Sequence, residues 1–488
     1  MKNHDEIEMW YQRLVIAACL FACAGLWGLN CSTAEETRVL HSPDGNVSVR
    51  FTLHKSHPSY SLLWNGRTII ADSRLGFRFD NAPPLSGALE IVSSSQDETD
   101  KKWNSVAGRQ ETVRNHYRRM EVRLREKKPP NRRLRLIFRA YNEGAALRYV
   151  FPRQKNFVSF NIRSEDTEFR FTGNHTAFYH GHGGSVGRTS LKKIDSGTSR
   201  PVTVKLSEDV YVAVGEAQMV NYARMQFSPL DGNALVSNLS GPVQFPPPVP
   251  DCVTHKKDVF TGPFESWNEL PFRTPWRMFL LGRSPGELLE HSYLVPNLNR
   301  PCAIEDTAWI RPGKVMREVT LGTEGARKMT DFAAEQNIQY IHFDSGWSGP
   351  EWRRQNDPTT IPDGKFRKYK DGNWMTTDLS DKLQEEIQYA AKQDRGVIVY
   401  VNHKQLEYQN LDKLFSTYAD WGIDGVKFGF VNTGPQKWTI WLHYAVRKAA
   451  EHGLVVNVHD AYVPTGFWRT YPNFLTMEGV AGDEQNPR

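Results

Sequence analysis

The pattern of apolar residues changes once along the chain, within a stretch at 284–301 that contains three prolines. From about residue 39 to residue 279, short segments alternate apolar with polar residues and are separated by Gly, Asn, Asp and Pro. Many short strands without a long helix predict a β-sandwich. We therefore expect a sandwich domain over residues 32–283 and a linker over residues 284–301.

Beyond this stretch, short apolar runs alternate with longer segments of helical periodicity. This alternation predicts a parallel sheet, because parallel strands need crossover helices. A doubly wound nucleotide-binding sheet would carry a glycine-rich phosphate turn after its first strand, and the sequence has none there. We therefore expect a (β/α) barrel over residues 302–488. The apolar runs are 338–343, 397–401, 426–430 and 454–458, and the helical segments are 324–335, 379–393 and 436–451.

The predicted fold is thus multidomain, β plus α/β, with an N-terminal β-sandwich followed by a (β/α)8-type barrel. Its 488 residues exceed what one hydrophobic core normally supports. About six barrel strands can be counted before the last residue, fewer than a closed barrel of this type needs. We expect the last strands to be missing, which leaves an open sheet edge. Two alternatives stay open, a truncated or split gene product and a fragment that another polypeptide completes.

The net charge and the N-terminal segment limit the possible binding partners and the cellular location of the protein. The formal net charge of +6 is spread over 61 basic and 55 acidic residues, so no nucleic-acid partner is expected. Residues 1–31 contain an apolar run, 14–30, that is short for a membrane span and is followed by polar residues, as in an export signal. We expect an exported protein of the periplasm or outer membrane. Cys19, Cys23 and Cys31 leave two alternatives open, a lipid anchor as the sole membrane attachment or a cleaved soluble protein.

Polar side chains follow the apolar runs of the predicted barrel. The active site of such a barrel lies at the C-terminal ends of its strands, so these residues are the informative ones. We expect them to converge on one rim, where four of them are carboxylates. The residues are Asp344, Trp347, Asn402, His403, His459, Asp460, Glu478 and Glu484.

A cluster of carboxylates suits the cleavage of glycosidic bonds. That reaction needs one protonated carboxyl group to assist the departing oxygen and one ionised group to activate water or attack the sugar. Mutual repulsion raises one pKa in such a cluster, and a bound Ca²⁺ would moderate it. A single carboxylate at a strand end is as readily a helix cap or an ion pair, but four at one rim favour catalysis.

Lys427 is a charged residue inside the apolar run 426–430. Buried lysine is rare unless it is paired, so we expect Lys427 to point to the rim and meet a carboxylate such as Asp344 or Asp460. A purely structural ion pair is the alternative.

Two histidines and a tryptophan at the rim are candidate substrate-binding residues. His403 and His459 lack the spacing of a zinc site, so we expect them to donate hydrogen bonds to substrate or to pack. Trp347 is a candidate platform for a sugar ring, with core packing as its alternative.

At these residues the chain resembles glycoside hydrolase family 97, a family of bacterial exo-acting α-glucosidases and α-galactosidases. The resemblance covers most of the sequence. It implies a β-sandwich, a (β/α)8 barrel and a short C-terminal β domain, with a calcium ion at the sugar-binding rim and an α-linked oligosaccharide or glycoside as substrate. The segments that carry it are DTEFRFTG, VGEAQMVNYARM, AWIRPGK, FDSGW, DGVKFGF and HDAYVPTGFWRTYPNFLTMEGVAGDE.

The resemblance also implies roles for individual carboxylates. Glu484 matches the general acid, and Asp460 stands where inverting members place a base glutamate. Glu216, Glu478 and Glu484 match the calcium ligands. The function expected from these matches is the hydrolysis of terminal α-linked sugars with inversion, assisted by Ca²⁺.

Two departures from the family pattern bear on this expectation. Retaining members carry an aspartate nucleophile where this chain has Gly429, which favours inversion. Inverting members carry a second base glutamate where this chain has Lys404, with Glu407 nearby. The alternatives are a non-catalytic carbohydrate-binding relative or inactive fragment, and a retaining enzyme that recruits Asp344 or Asp424 as nucleophile.

Overall fold

The computed structural model describes most of the chain, in segments that cover both predicted domains. The predicted export signal, residues 1–31, and the predicted catalytic residues Asp460 and Glu484 lie outside the described residues, so their assignments stay predictions. Among the helices that the structure describes, none is long and apolar enough to cross a membrane. The described residues are 35–181, 186–240, 243–244, 259–260, 267–318, 320–349, 351, 356–360, 367–368, 374–375, 379–406, 409–431, 434–459 and 462–478.

The N-terminal part of the chain is β-rich, as its alternating pattern predicts. Its strands are β1 (Glu36–His41), β2 (Val47–His54), β3 (His57–Trp64), β4 (Arg67–Arg74), β5 (Phe77–Phe79), β6 (Leu89–Asn104), β7 (Thr112–Glu126), β8 (Arg133–Tyr141), β9 (Gly144–Phe151), β10 (Ser159–Glu165), β11 (Glu168–Arg170), β12 (Thr176–His180), β13 (Val186–Ser190), β14 (Ser199–Ser207), β15 (Val210–Ala217), β16 (Met225–Leu230), β17 (Ala234–Leu239), β18 (Val243–Gln244), β19 (Val259–Phe260), β20 (Trp267–Glu269), β21 (Phe272–Arg273) and β22 (Trp276–Gly282).

These strands form antiparallel sheets whose apolar faces meet. The largest sheet has the order β13-β12-β14-β15-β22-β9-β8-β7-β6, with β21 also paired to β9, and the four strands β1 to β4 form a second sheet. Phe51 of the second sheet packs against Phe138 of the first, with ring centroids 6.0 Å apart, and both side chains are buried. This arrangement is consistent with the predicted sandwich.

The predicted linker is helical and packed. Ser284 caps helix α1 (Pro285–Glu290) by accepting a hydrogen bond from Glu287 N, and Pro285 at the first helical position suits this start. Helix α2 (Leu294–Asn297) follows. Leu294 of α2 joins a cluster of buried side chains with Trp276 of β22, so the stretch is part of the sandwich surface and not an extended connection.

The C-terminal part contains a six-stranded parallel sheet in sequence order, a half-barrel of the predicted type. Its strands are β23 (Val315–Glu318), β24 (Tyr340–Phe343), β27 (Gly396–Asn402), β28 (Gly425–Gly429), β29 (Val455–Val458) and β30 (Phe474–Met477), while β25 (Arg367–Lys368) and β26 (Trp374–Met375) pair separately. The helices are α3 (Thr323–Glu335), α4 (Leu379–Lys392), α5 (His403–Leu406), α6 (Leu411–Trp421) and α7 (Gln436–Glu451).

The four predicted apolar runs correspond to β24, β27, β28 and β29, and the three predicted helices correspond to α3, α4 and α7. Helix α6 was absent from the sequence-based set. Its N-cap Asn410 and the left-handed Gly422 after its last turn are the signals that would have identified it.

Candidate active site

The strands of the parallel sheet present apolar side chains to the helices and polar side chains to the inner face. Val399 and Val401 of β27 lie in the core, and successive residues of a strand point to opposite faces. Tyr400 therefore lies on the inner face. In the register of the sheet Tyr400 pairs with Lys427, and Lys427 pairs with Asn457. A row of polar residues thus crosses the inner face.

Lys427 forms an ion pair at the C-terminal edge of this face. Its Nζ lies 3.0 Å from Glu478 Oε2, and His459 Nε2 lies 3.7 Å from the same oxygen. The side chains of Lys427 and Glu478 are only 11% and 24% exposed, so solvent screens their attraction less than at the surface. Lys427 meets a rim carboxylate as expected, but that carboxylate is Glu478 and not Asp344.

Asp344 at the end of β24 is also paired with a cation. Its Oδ2 lies 3.2 Å from Arg317 Nη1. His342, two residues earlier and buried, has its pKa lowered to about 3 because burial disfavours the charged ring, and Lys427 and Arg317 add to this effect while Asp344 opposes it. The imidazole is therefore neutral at physiological pH.

Glu351 is a further carboxyl group beside Asp344. It is buried, and its pKa is raised to about 8. Burial is the largest cause and the charge of Asp344 is the second, while a hydrogen bond from the Gly346 backbone lowers the pKa. At neutral pH this carboxyl group is mainly protonated. No sequence signal identified Glu351, because it follows no apolar run. The polar residues His342 and Tyr400, in contrast, interrupt apolar runs just as Lys427 does.

Trp347 and His403 pack beneath the rim. Trp347 is 1% exposed, and its Nε1 donates a hydrogen bond to Tyr400 O at 2.7 Å. His403 is 1% exposed, with Nδ1 3.2 Å from Gly429 O and its ring against that of Trp438. The burial of both side chains fits the alternative role for them, packing in the core. A substrate-binding role for either stays a prediction, and it would require the ring to become accessible.

Gly429 lies against the hydroxyl group of Tyr400. A Cβ atom at position 429 would come within 2.1 Å of Tyr400 Oη, far inside van der Waals contact. Tyr400 is 2% exposed, so the ring is enclosed. Position 429 therefore accommodates no side chain unless Tyr400 moves.

Glu216 lies at the end of β15 in the β-rich domain, buried between two arginines. Its Oε1 is 2.6 Å from Arg200 Nε, and its Oε2 is 2.7 Å from Arg277 Nη1. Arg277 also binds Glu165, with Nη2 2.6 Å from Glu165 Oε2. The side chains of Glu216, Arg277 and Glu165 are fully buried. Two carboxylates and two guanidinium groups thus form a balanced buried network.

The described residues do not fit the predicted calcium site. Ca²⁺ binds oxygen ligands that are free to turn toward it, whereas Glu216 faces two guanidinium groups and Glu478 faces the Lys427 ammonium. No group of three potential metal ligands occurs among the side chains of the described segments. The third predicted ligand, Glu484, lies outside them.

Two family models match this chain. One, described as glycosyl-hydrolase 97 N-terminal, matches residues 40–301, which is more than half of the chain. The other, described as glycoside hydrolase 97, matches residues 308–480.

Curated relatives are similar over most of this chain. A retaining alpha-galactosidase of Bacteroides thetaiotaomicron is 25% identical, with 93% of this chain and 68% of the relative covered. A probable retaining alpha-galactosidase of Streptomyces bingchenggensis is 25% identical, with 86% of this chain and 61% of the relative covered. The chain therefore spans about two thirds of the length of these relatives.

Solved structures share the fold. A glycoside hydrolase family 97 enzyme from Pseudoalteromonas sp. strain K8, in complex with acarbose, superposes with a TM-score of 0.76 at 22% identity and covers 92% of this chain and 70% of that chain. A beta-arabinopyranosidase superposes with a TM-score of 0.74 at 17% identity, covering 91% and 70%. At these identities the likeness concerns the fold alone.

Proposed function

The chain belongs to glycoside hydrolase family 97, and from this premise we propose that it hydrolyses terminal α-linked sugars, with galactosides and glucosides as the first candidates. Two curated relatives are named as retaining alpha-galactosidases, one of them as probable. A solved family 97 structure with the same fold contains panose, an α-linked oligosaccharide. This chain has a β-rich domain followed by a parallel half-barrel, and solved structures of that family share this fold.

The observation that carries this proposal is the polar inner face at the C-terminal edge of the parallel sheet. Asp344, His459 and Glu478 directly follow strands at this edge, where barrel enzymes bind their substrates, and Lys427 in the middle of β28 reaches Glu478 there. Ammonium, imidazole and carboxylate groups bind sugar hydroxyls well, because each hydroxyl both donates and accepts hydrogen bonds. In this proposal Lys427, His459 and Glu478 orient the substrate.

The proposed acid and base are Glu484 and Asp460. Glu484 gives a proton to the departing glycosidic oxygen, and Asp460 removes a proton from the attacking water. Both assignments rest on the family resemblance.

We propose inversion of the anomeric centre. A retaining mechanism with its nucleophile at position 429 would need a carboxylate there. The contact of Gly429 with the Tyr400 hydroxyl group leaves no room for that side chain. The word "retaining" in the names of the two relatives describes those proteins. Retention in this chain would require another nucleophile, such as Asp344. Asp424, the other alternative from the sequence, precedes β28 and accepts a hydrogen bond from Val397 N near the start of β27, so it lies at the opposite edge of the sheet.

The test is the hydrolysis of 4-nitrophenyl α-galactoside and α-glucoside by the purified chain, with and without EDTA. We expect a measurable rate on at least one substrate. On an oligosaccharide such as panose, whose leaving group is a sugar, Glu484→Gln should lower kcat by about 100-fold or more, because a sugar oxygen must be protonated as it departs. The 4-nitrophenyl substrates should lose less, because nitrophenolate leaves without a proton. The matched control is Glu168→Gln, a buried glutamate of the β-rich domain that pairs with Arg74 and lies on no strand of the parallel sheet. Proton NMR of the first anomer released then separates inversion from retention.

An unchanged rate of Glu484→Gln on the oligosaccharide would reject the assigned acid. A released α-anomer would reject inversion. A folded chain without activity on either substrate would instead support the second candidate, a carbohydrate-binding relative. The absence of carboxylates at both Lys404 and Gly429 favours that candidate, and binding of the unhydrolysed sugar by calorimetry would test it.

A further inference from the structure

The connection between β29 and β30 is held in place by the β-rich domain. Gln218 N donates to Thr465 O at 2.9 Å, and Met219 N donates to Thr465 Oγ1 at 3.3 Å. Asn299 Nδ2, which lies just after helix α2, donates to the same Thr465 carbonyl at 2.7 Å. Three donors from outside the parallel sheet therefore converge on Thr465, which is fully buried.

Arg200 extends this anchor. Its Nη2 donates to Val463 O at 3.4 Å, and the residue is 2% exposed. A guanidinium group at this depth requires a partner of opposite charge. Glu216 supplies it, with Oε1 2.6 Å from Arg200 Nε, and Arg277 holds the second oxygen of Glu216. A continuous chain of charge-assisted contacts thus runs from the centre of the β-rich domain to residues 462–465.

We propose that Arg200 and Glu216 are positioning residues of the active-site rim. They fix segment 462–465, and two arginines neutralise Glu216 in the place where the family resemblance expects a calcium ion. The segment lies between His459 and Glu478 in the chain. Its position therefore affects how these two side chains are placed at the rim. The inference rests on the proposed function, because it assigns a catalytic consequence to that edge.

Electrostatics explain why arginine and calcium exclude each other at Glu216. A divalent cation bound to this carboxylate would sit next to two buried guanidinium groups, and like charges at such distances repel strongly where water is excluded. Turning Arg200 away would leave a buried positive charge without a partner. Glu216 therefore influences the rim through Arg200 and not through a bound metal ion. We expect the rim to keep its geometry when divalent cations are removed.

The experiment compares Arg200→Lys and Glu216→Gln with the wild-type chain and with the Glu168→Gln control. Amide hydrogen exchange of segment 462–470 should be faster in the two variants and unchanged in the control, because only the variants weaken the anchor. On the better substrate, kcat should fall by about 100-fold while KM changes by less than about 3-fold, since a small misplacement of catalytic groups costs rate more than binding. Wild-type activity should persist in EDTA. Calorimetric titration with Ca²⁺ should give the same result for the wild type and Glu216→Gln.

Several outcomes would overturn this inference. One such outcome is that Arg200→Lys and Glu216→Gln have the same kinetic constants and the same amide hydrogen exchange as the control. Another is a wild-type chain that loses activity in EDTA and binds Ca²⁺ through a site that Glu216→Gln removes. If Arg200→Lys does not fold, Thr465→Val decides instead. It removes the bond from Met219 N and the side-chain hydrogen bond between Thr465 and Tyr462, but it leaves both bonds to the Thr465 carbonyl group. It should therefore show a smaller change in the same direction. If the wild type hydrolyses no α-glycoside, the proposed function fails, and hydrogen exchange still tests the anchor.

Discussion

At the scale of single residues, the partner of each carboxylate decides what that carboxylate can do. Asp344 faces Arg317 and Glu478 faces Lys427, so both are held near a positive charge. Glu351 differs, because its Oε2 is buried and has no hydrogen-bond partner among the described residues. Burial and the nearby charge of Asp344 raise its pKa to about 8, so it is a neutral acid within the folded chain at physiological pH.

Glu351→Gln should stabilise the chain at high pH and not at low pH. The pKa of Glu351 is raised from 4.5 in the unfolded chain to about 8 in the folded chain. The wild type therefore has its full stability below pH 4.5 and loses stability as the pH rises toward 8, because the unfolded state gives up its proton first. Glutamine mimics the neutral acid at every pH. Urea unfolding should show a gain of about 1–3 kcal/mol at pH 8 and little change at pH 5. An equal change at both pH values would contradict this reasoning.

At the scale of elements, the helices that cover the outer face depend on their ends as well as on their apolar sides. Helix α6 starts at Asn410, whose side chain accepts hydrogen bonds from the backbone N–H groups of Asp412 and Lys413. It stops at Gly422, which has a φ of 81°, a conformation that glycine adopts without strain. The helix buries Leu414 and Phe415 on the side that faces the sheet.

Asn410→Ala should lower the free energy of unfolding by about 1 kcal/mol, because it removes the side-chain cap of α6. The matched control is Asp420→Ala, an exposed position near the other end of the same helix. The control should change stability by less than about 0.5 kcal/mol. Chemical denaturation of both variants measures the difference. Equal losses would show that the cap has no special role.

At the scale of the whole molecule, one arginine ties the parallel sheet to the β-rich domain. Arg469, between β29 and β30, donates from Nη1 to the carbonyl groups of Pro296 at 3.1 Å, Asn297 at 3.0 Å and Asn299 at 3.2 Å. Its guanidinium carbon lies 4.7 Å from the ring centroid of Trp103, whose Nε1 donates to Asn297 Oδ1. The interface between the two parts is therefore polar and directional as well as apolar.

Arg469→Met should lower the free energy of unfolding by at least about 2 kcal/mol, because it leaves buried carbonyl groups without a donor. The control is Arg133→Met, which removes an exposed arginine that donates to a single carbonyl group, that of Arg153. That variant should lose less than about 0.5 kcal/mol. Calorimetry of both variants provides the comparison. A loss in Arg469→Met no larger than in the control would show that the interface does not depend on this side chain.

The sequence by itself determined the architecture class and the family. Alternation with a period of two, helical periodicity and turn residues are local properties. They therefore predicted the β-rich domain, the four strands β24, β27, β28 and β29, and three helices. The family resemblance rested on contiguous blocks, and the family models confirm it. The same local signals placed Asp344, His459 and Glu478 at strand ends, because each directly follows an apolar run.

Only the tertiary structure decided which charge faces which. Glu216 meets Arg200 and Arg277, and Lys427 meets Glu478, because strand register and sheet packing bring together residues that are far apart in the sequence. Burial likewise depends on the neighbours that folding supplies. An aromatic residue after a strand, such as Trp347, has the same sequence signal whether it faces a sugar or the core, and a glycine in a strand gives no sign of the tyrosine hydroxyl group that packs against it.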